Sequence, residues 1–580
     1  MLVDWGMQVR TGMVLTVIVC LWVGLIFRLY VLQFEKAPFL VEKADRQHEG
    51  ILKVAPRRGQ ILDRNGNLLA VSVKVKSVFC VPGEVKNLWK QTKCLEKILG
   101  VSRNEMVKKF TRTGSKFCWV KRKISEREMQ FLEREKIPGI YTIDEMKRFY
   151  PKGSRLSHLI GFVNIDNEGL AGLEGSMNLQ LTGKMGLANI VHDAKGQEIV
   201  ARRDFIELPQ DGQDLTITID EVVQNIVEEE QDMTWKDWTP KGIATVVMQV
   251  KTGEILALSN RPTFDLNEPG KAKKEAFKNR VILEAYEPGS VFKVISGTAV
   301  LNERLTSLSE VINCEGGAYR IAGHTLHDSS PHDGLTFKMV LAKSSNIGVA
   351  KVASRLSQEQ LYQHIKAFGF GKTTGLPLWG ESPGRVWHYT KWSGYSTAAI
   401  AMGHEVMVTP IQMACAITTV ANRGVKVNPL LLKELKDKDG HLLETFHSVK
   451  GERVMRSETA NHLIEALQAA VSDQGTAPMA RVPGYSVAGK TGTAQKVEDG
   501  RYSHSKYVSS FVGFIPASNP EISITVMVDE PSKRAYGGTV AAPLFSRIAG
   551  RLMPYLKIQP DQPLELEEKS KESKESNSAH

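Results

Sequence analysis

Three runs near one end of the chain decide its fold: YSVAGKTGTAQKV at 485–497, KYVSSFVGFIP at 506–516 and EISITVMVDEP at 521–531. Each is rich in β-branched and aromatic residues and is bounded by Gly, Pro or Asn, so each reads as a strand. Far upstream, GIATVVMQV (242–250) reads as a buried strand, Lys251-Thr252-Gly253 as its turn and EILALS (254–259) as the return strand. Between these ends, from Glu284 to about Asp473, the pattern is mainly helical. Strands at both ends of a domain with helices between them predict an α+β fold whose sheet joins its two ends.

Further toward the N-terminus, DLTITI (214–219) alternates as a strand, and Asp220 is placed to cap a helix over EVVQNIVEEEQDM (221–233). In APRRGQILDRNGNLLAVS (55–72), Asn65-Gly66 between two apolar stretches predicts a hairpin. Residues 102–110 and 124–136 read as helices, and Gly169, Gly172, Gly175, Gly183 and Gly186 mark a loop-rich stretch. No internal repeat is found.

The chain has 580 residues, 42% hydrophobic and 24% charged, which excludes a disordered, collagen-like or polytopic membrane protein. Its formal charge of +11 suits a nearby anionic surface, and no nucleic-acid-binding signature accompanies it. One segment is unlike the rest. TGMVLTVIVCLWVGLIF (11–27) carries no charge and continues past Arg28 as LYVLQF. Together they give about 24 residues, enough to cross a bilayer at ~1.5 Å per residue. Small residues in a cleavage-site pattern do not follow, so an uncleaved signal anchor is expected, with a short cytoplasmic segment at 1–10, the anchor at 11–34 and the bulk outside. The tail, 558–580, is Pro, Glu, Lys and Ser, and is expected to be disordered. The six cysteines include no CxxC pair. Cys80, Cys94 and Cys118 share a region in which one bridge remains open, against the alternative of small buried side chains.

Three motifs carry the chemistry jointly. In Ser290-Val291-Phe292-Lys293 the first and fourth residues share a helix face, bringing an amine beside a hydroxyl. A serine needs a base to become a nucleophile, and a desolvated lysine can be that base. Ser344-Ser345-Asn346 supplies groups that relay a proton and hold an amide. Lys490-Thr491-Gly492-Thr493, in a predicted strand, suits a carboxylate-ended substrate, and its backbone N–H can complete an oxyanion hole with that of Ser290. Each motif alone is common. Lys251-Thr252-Gly253 repeats the last one's letters but lies before the serine, in a hairpin turn.

In this order S-x-x-K, S-x-N and K-T-G form the active-site set of penicillin-binding proteins and serine β-lactamases. The chain resembles a class B penicillin-binding protein over about residues 10–556, through RRGQILDRNG (57–66), GLAGLEGSMNLQLTGKMG (169–186), NRVILEAYEPGSVFK (279–293) and MGHEVMVTPIQMA (402–414). SSFVGFIPASNPEISITVMVDEP (509–531) and GGTVAAPLFSRIA (537–549) resemble the septum-forming, FtsI-like members. The resemblance implies a pedestal (dimerisation-type) domain at 35–205 and a transpeptidase domain with a five-stranded antiparallel sheet at 206–557. It implies a D,D-transpeptidase that cross-links peptidoglycan stem pentapeptides during septal wall synthesis and is acylated by β-lactams. Ser290 would be the nucleophile and Lys293 its base. Ser344 and Asn346 would assist proton transfer. Lys490, Thr491, Gly492 and Thr493 would bind the terminal carboxylate, with the Ser290 and Thr493 N–H groups as oxyanion donors. No cofactor or metal is implied. The implied partners are a SEDS-family glycosyltransferase and small bitopic division proteins.

Other candidates weigh less. His324, His327, Asp328, His332 and Asp333 cluster at metal-like spacing but read better as a polar loop beside the cleft. His404 reads as a packing residue or one that supports the site from behind, and not as a base; Arg57, Arg58 and Arg64 read as either a docking surface or a salt-bridge network. Competing functions are an elongation-type transpeptidase, a β-lactamase or carboxypeptidase, and a non-catalytic scaffold or sensor. The long pedestal and the anchor argue against a hydrolase.

Overall fold

A computed structural model describes residues 2–37, 39, 49–112, 117–191, 204–449, 451–498, 501–532 and 536–563. The chain falls into two compact units, residues 1–57 with 183–211, and residues 58–182 with 212–580.

The first unit opens with the helix Leu2–Tyr30, followed by a π-helical turn, Val31–Glu35. Its segment Met7–Glu35 holds an 18-residue window of mean hydropathy 2.4, none of it buried inside the protein, and is long and apolar enough to cross a membrane. The hydroxyls of Thr11 and Thr16 donate to Met7 O (2.8 Å) and Gly12 O (2.9 Å), so neither hydroxyl proton is left unpaired. The same unit holds a three-stranded antiparallel sheet of β1 (Glu49–Val54), β6 (Gly186–Val191) and β7 (Asp204–Glu207).

The second unit contains two large sheets. In the first, β2 (Ile61–Leu62) and β3 (Leu68–Cys80) form the expected hairpin. Asp63 closes its turn by accepting from the N–H groups of Asn65 and Asn67, both at 2.8 Å, and Gly66 takes a φ of +87° that few other residues tolerate. β4 (Cys118–Lys121) and β5 (Ile140–Phe149) both pair with β3. On its other side β2 runs parallel to β8 (Asp214–Ile217). β8 also pairs with β17 (Leu432–Lys436), which pairs with β18 (Leu442–Thr445). The boundary expected at 205/206 therefore does not separate two sheets: β8, beyond it, completes its hydrogen bonds on β2, before it. A four-residue strand shows its alternation in the sequence but not its partners.

The second sheet has the order β10-β9-β21-β20-β19: β9 is Gly242–Gln249, β10 Ile255–Arg261, β19 Ala488–Glu498, β20 Arg501–Ile515 and β21 Ile522–Asp529. All neighbours are antiparallel, and β21 beside β9 is the predicted joining of the two ends. Both faces are covered. Ile243 and Val247 pack with the Glu221–Trp238 and Gly537–Tyr555 helices, while Ala244, Val246 and Met248 pack with the Lys293–Asn302 and Pro410–Ala421 helices. Burial on both faces is why these strands read as continuous apolar runs.

Two expectations are corrected. The segment read as mainly helical also carries short antiparallel pairs: β11 (Val311–Asn313) with β14 (Gly334–Thr336), β12 (Ala318–Ile321) with β13 (His324–His327), and β15 (Arg385–Val386) with β16 (Val406–Met407). Strands of two to four residues are too short for period-2 alternation to register. The tail read as disordered from 558 is anchored at its start. Tyr485 donates to Ile558 O (2.8 Å), and the Asp561 carboxylate accepts from the Ser486 N–H (2.7 Å) and from the hydroxyls of Ser486 and Ser518. Composition gave no sign that one aspartate would be claimed by two distant serines. Residues 564–580 of that expectation lie outside the described residues.

Candidate active site

The Ser290–Lys293 motif lies at a helix start, as the sequence predicted. Gly289–Phe292 forms a 3-10 turn leading into the Lys293–Asn302 helix. Ser290 is partly exposed and Lys293 is fully buried, one turn further on. Two close backbone approaches fix the turn. A Cβ on Gly403 would fall 2.1 Å from Gly289 O, and one on Gly492 would fall 3.0 Å from Pro288 O and 2.4 Å from Ser510 Oγ. Only glycine at 403 and 492 lets the turn nestle between the 403–405 loop and β19.

The Lys293 Nζ is the hub. It contacts Ser344 O at 2.5 Å, Asn346 Oδ1 at 2.8 Å and Ser344 Oγ at 3.2 Å. Burial, with the nearby Lys490 charge, pushes its pKa well below the usual lysine value, against a smaller opposing pull from Asp328. A neutral amine has two N–H bonds and one lone pair. Ser344 O and Asn346 Oδ1 can only accept, so they take the two N–H bonds. The lone pair is then left for a hydroxyl proton, that of Ser344 or of Ser290. The local bonding thus suits a base.

The S-x-N turn is held under tension. Ser344 has a φ of +63°, the left-handed region that a serine rarely occupies, and Ser345 caps the Asn346–Ala353 helix by accepting from Gly348 N at 2.9 Å. Asp328 maintains it. Its carboxylate accepts from Ser345 Oγ (2.6 Å), Asn346 N (2.5 Å) and Ile347 N (3.1 Å). Asn346 in turn donates from Nδ2 to His327 O (3.0 Å), which orients Oδ1 toward Lys293. The His324–Asp333 cluster is therefore put to use as support for this turn: Asp328 spends its oxygens on the cap, and His324 stacks on Tyr395 with ring centroids 4.2 Å apart.

The third motif lies on β19, the edge strand of the five-stranded sheet, so alternate backbone groups of β19 point away from β20. The Lys490 side chain is buried and desolvation lowers its pKa to about 7. Thr491 Oγ1 lies 2.8 Å from Thr476 Oγ1, and Thr493 Oγ1 accepts from Gly537 N at 3.0 Å, at the start of the Gly537–Tyr555 helix. Thr493 and Ala494 also border the Gly289–Phe292 turn: a Cβ on Gly289 would lie 3.5 Å from Thr493 O and 3.2 Å from Ala494 Cβ. The three motifs are thus brought together.

Beside them lies a cluster of which sequence reasoning singled out only His404. The Glu287 carboxylate accepts from Glu405 N (3.0 Å), His404 Nδ1 (3.0 Å) and Tyr502 OH (3.1 Å), tying the segment before Ser290 to the 403–405 loop and to β20. His404 is half-buried in this contact. Lys251-Thr252-Gly253 forms the β9–β10 turn, with Gly253 at φ +74°, remote from this chemistry. Arg58 is buried in an ion-pair network with Glu174 and Arg148, whereas Arg64 pairs with Glu254 at 3.2 Å nearer the surface.

Comparison with known proteins identifies the class to which this geometry belongs. Residues 243–550 match the penicillin-binding protein transpeptidase domain, and residues 53–217 the penicillin-binding protein dimerisation domain. The chain is 36% identical to stage V sporulation protein D of Bacillus subtilis over 540 residues, 92% of this chain and 83% of that one. It is 32% identical to the peptidoglycan D,D-transpeptidase FtsI of Escherichia coli over 555 residues, 93% and 91% of the two chains. The crystal structure of penicillin-binding protein 3 of Mycobacterium tuberculosis, complexed with ampicillin, superposes with a TM-score of 0.70 at 28% identity, over 88% of this chain and 97% of that one. The chain belongs to the class B penicillin-binding proteins, with a dimerisation domain followed by a transpeptidase domain. It is a peptidoglycan D,D-transpeptidase, a family whose members bind β-lactams.

Proposed function

We propose that Ser290 attacks the carbonyl carbon of the penultimate D-Ala of a stem pentapeptide while Lys293 Nζ takes the hydroxyl proton. The N–H groups of Ser290 and Thr493 hold the oxyanion. Lys490, Thr491, Gly492 and Thr493 receive the terminal carboxylate. As the tetrahedral intermediate collapses, the C–N bond breaks and the departing D-Ala amine takes a proton relayed through Ser344, with Asn346 holding the substrate amide. The acyl ester on Ser290 is then attacked by the amine of a neighbouring stem. The ester bond breaks, the proton returns to Ser290 Oγ, and one amide has been exchanged for another without an external energy source. The observation that carries this reading is the buried Lys293 amine, whose two N–H bonds are matched by pure acceptors one helical turn from Ser290. Labelled penicillin tests it: wild type takes up one label per chain and Ser290→Ala none, whereas covalent labelling of Ser290→Ala would refute the assignment.

The physiological setting proposed is septal wall synthesis. The wording of 509–531 and 537–549 and the likeness to FtsI support it. In this setting Met7–Glu35 is the single membrane anchor, with the short segment before it in the cytoplasm and both large domains outside. The anchor and the 35–205 pedestal face a SEDS-family glycosyltransferase and small bitopic division proteins. A second reading, wall synthesis during sporulation, is favoured by the 36% identity to stage V sporulation protein D. Depletion followed by microscopy separates them: filaments support the septum, round cells the sidewall, and normal growth with defective spores the sporulation reading.

A further inference from the structure

Cys80 ends β3 and Cys118 begins β4, and the antiparallel register sets the two directly opposite each other. The two thiols are close enough for each to influence the other's ionisation. Opposed residues of an antiparallel pair have Cα atoms about 4.5–5.5 Å apart, within the roughly 4.4–6.8 Å that a disulfide spans. Cys94, the third cysteine of this region, lies on the Leu88–Leu99 helix, and the acidic group that influences its thiol is Glu135. We propose that Cys80 and Cys118 are a disulfide site, oxidised when this part of the chain meets an oxidising compartment, and that the bond staples β4 to β3.

The surroundings give the bond a task. β4 has four residues and stands at the end of its sheet. Val78 and Cys80 of β3 and Val120 of β4 complete a small separate core with Leu95, Leu99, Met106 and Phe110, from the Leu88–Leu99 and Arg103–Phe110 helices. This satellite core is far smaller than those around the five-stranded sheet, and small cores are where cross-links matter most. A Cys80–Cys118 bond closes the chain segment that carries both helices.

The chemistry needs an oxidant, here a disulfide of the glutathione or dithiol-oxidase class. Cys80 is fully buried and Cys118 half-buried, so Cys118 is the point of entry. Its thiolate attacks one sulfur of the oxidant, breaking that S–S bond and releasing one thiolate. The Cys80 thiol then gives up its proton and its sulfur attacks the Cys118 sulfur, expelling the second thiolate. Two protein thiols are oxidised, one external disulfide is reduced to two thiols, and the two protons go to the released thiolates. Burial raises both protein thiols, Cys80 to about 12, so pairing without an exchange catalyst is slow at neutral pH.

The site is tested on the full-length protein in detergent. It is equilibrated with oxidised and reduced glutathione mixtures, alkylated with N-ethylmaleimide, digested and mapped by mass spectrometry. The expected product is a Cys80–Cys118 linked peptide, with Cys94, Cys314 and Cys415 alkylated. The oxidised form should melt several degrees above the reduced form, and this gap should vanish in Cys118→Ser. Alkylation of both cysteines at full oxidation, a Cys80–Cys94 link, or equal melting of the two forms would overturn the proposal; the wild-type mapping stands whether or not the variant folds. The occurrence of the bond in cells rests on the outward orientation proposed above. A pair that links in vitro but is trapped as free thiols from growing cells counts against that orientation, and a pair that fails to link in vitro counts against the site itself.

Discussion

Among the places where this protein buries long cationic side chains, two are built in opposite ways. In the lobe before residue 182, Arg58 and Arg148 share Glu174. Arg58 Nε and Arg148 Nε reach its two carboxylate oxygens at 2.6 and 2.5 Å. Arg58 adds bonds to Asn178 Oδ1 (2.8 Å), Thr182 Oγ1 (2.6 Å) and Glu174 O (2.8 Å), and Arg148 one to Gly59 O (2.7 Å). In the cleft, Lys293 and Lys490 are as deeply buried, yet among the described residues no carboxylate lies within ion-pair distance of either. Guanidinium forks held by a carboxylate stay charged and lock a fold; burial without a carboxylate pulls an amine toward its neutral form. The same burial, with or without a carboxylate, separates architecture from chemistry.

The sharpest way to break this contrast is Lys293→Met. Acylation by a labelled penicillin should fall by about four orders of magnitude, the scale seen when a triad base is removed. The melting temperature should change by only a few degrees, because the lost hydrogen bonds to Ser344 O and Asn346 Oδ1 are offset by relief of the buried amine's desolvation. A variant that unfolds instead would mean that Lys293 is structural in the way Arg58 is.

Glu174→Gln probes the other side and should reverse the pattern. It leaves two buried guanidinium groups facing a neutral amide, so about 3–5 kcal/mol of stability should be lost in denaturant titrations. Acylation by the fraction still folded should change little, since Glu174 touches none of the three motifs. A loss below about 1 kcal/mol would place the pair in the class of surface ion pairs.

This contrast also explains what could be read in advance. Ser290, Lys293, Ser344, Asn346 and Lys490 announce themselves because each motif is local: three or four adjacent residues carry the signal, and only their meeting needs the fold. The α+β class and the union of β9 with β21 were legible for a similar reason, as strands buried on both faces leave unbroken apolar runs. Glu174 sits in an unremarkable Gly-rich stretch, 116 residues from Arg58. Asp328 reads as one of a polar cluster, although it caps the S-x-N turn 18 residues away. Glu287 meets Tyr502 across 215 residues. Such partners are chosen by tertiary proximity, and a single sequence does not encode proximity in any periodic form.

Lys490→Met gives the smallest effect and sharpens the comparison within the cleft. Lys490 has a folded pKa of about 7, against roughly 10.4 for an exposed lysine. Between these values the unfolded chain holds a proton that the folded chain does not, so stability rises with pH across that window. Below about pH 7 both states are protonated and the full cost of a buried charge is felt; above about 10.4 both are neutral and the cost is gone. Methionine, of similar length and uncharged, removes that cost at every pH. The variant should therefore be more stable than wild type by about 1–3 kcal/mol near pH 6, and the advantage should shrink toward zero by about pH 10. Paired urea titrations across this range read the difference directly, and groups common to both proteins cancel. On the role proposed for Lys490 in receiving the substrate carboxylate, acylation should fall in the same variant. An advantage independent of pH would mean that the gain comes from packing, whereas a variant less stable at pH 6 would mean that Lys490 is paired in the folded state, like Arg58 and Arg148.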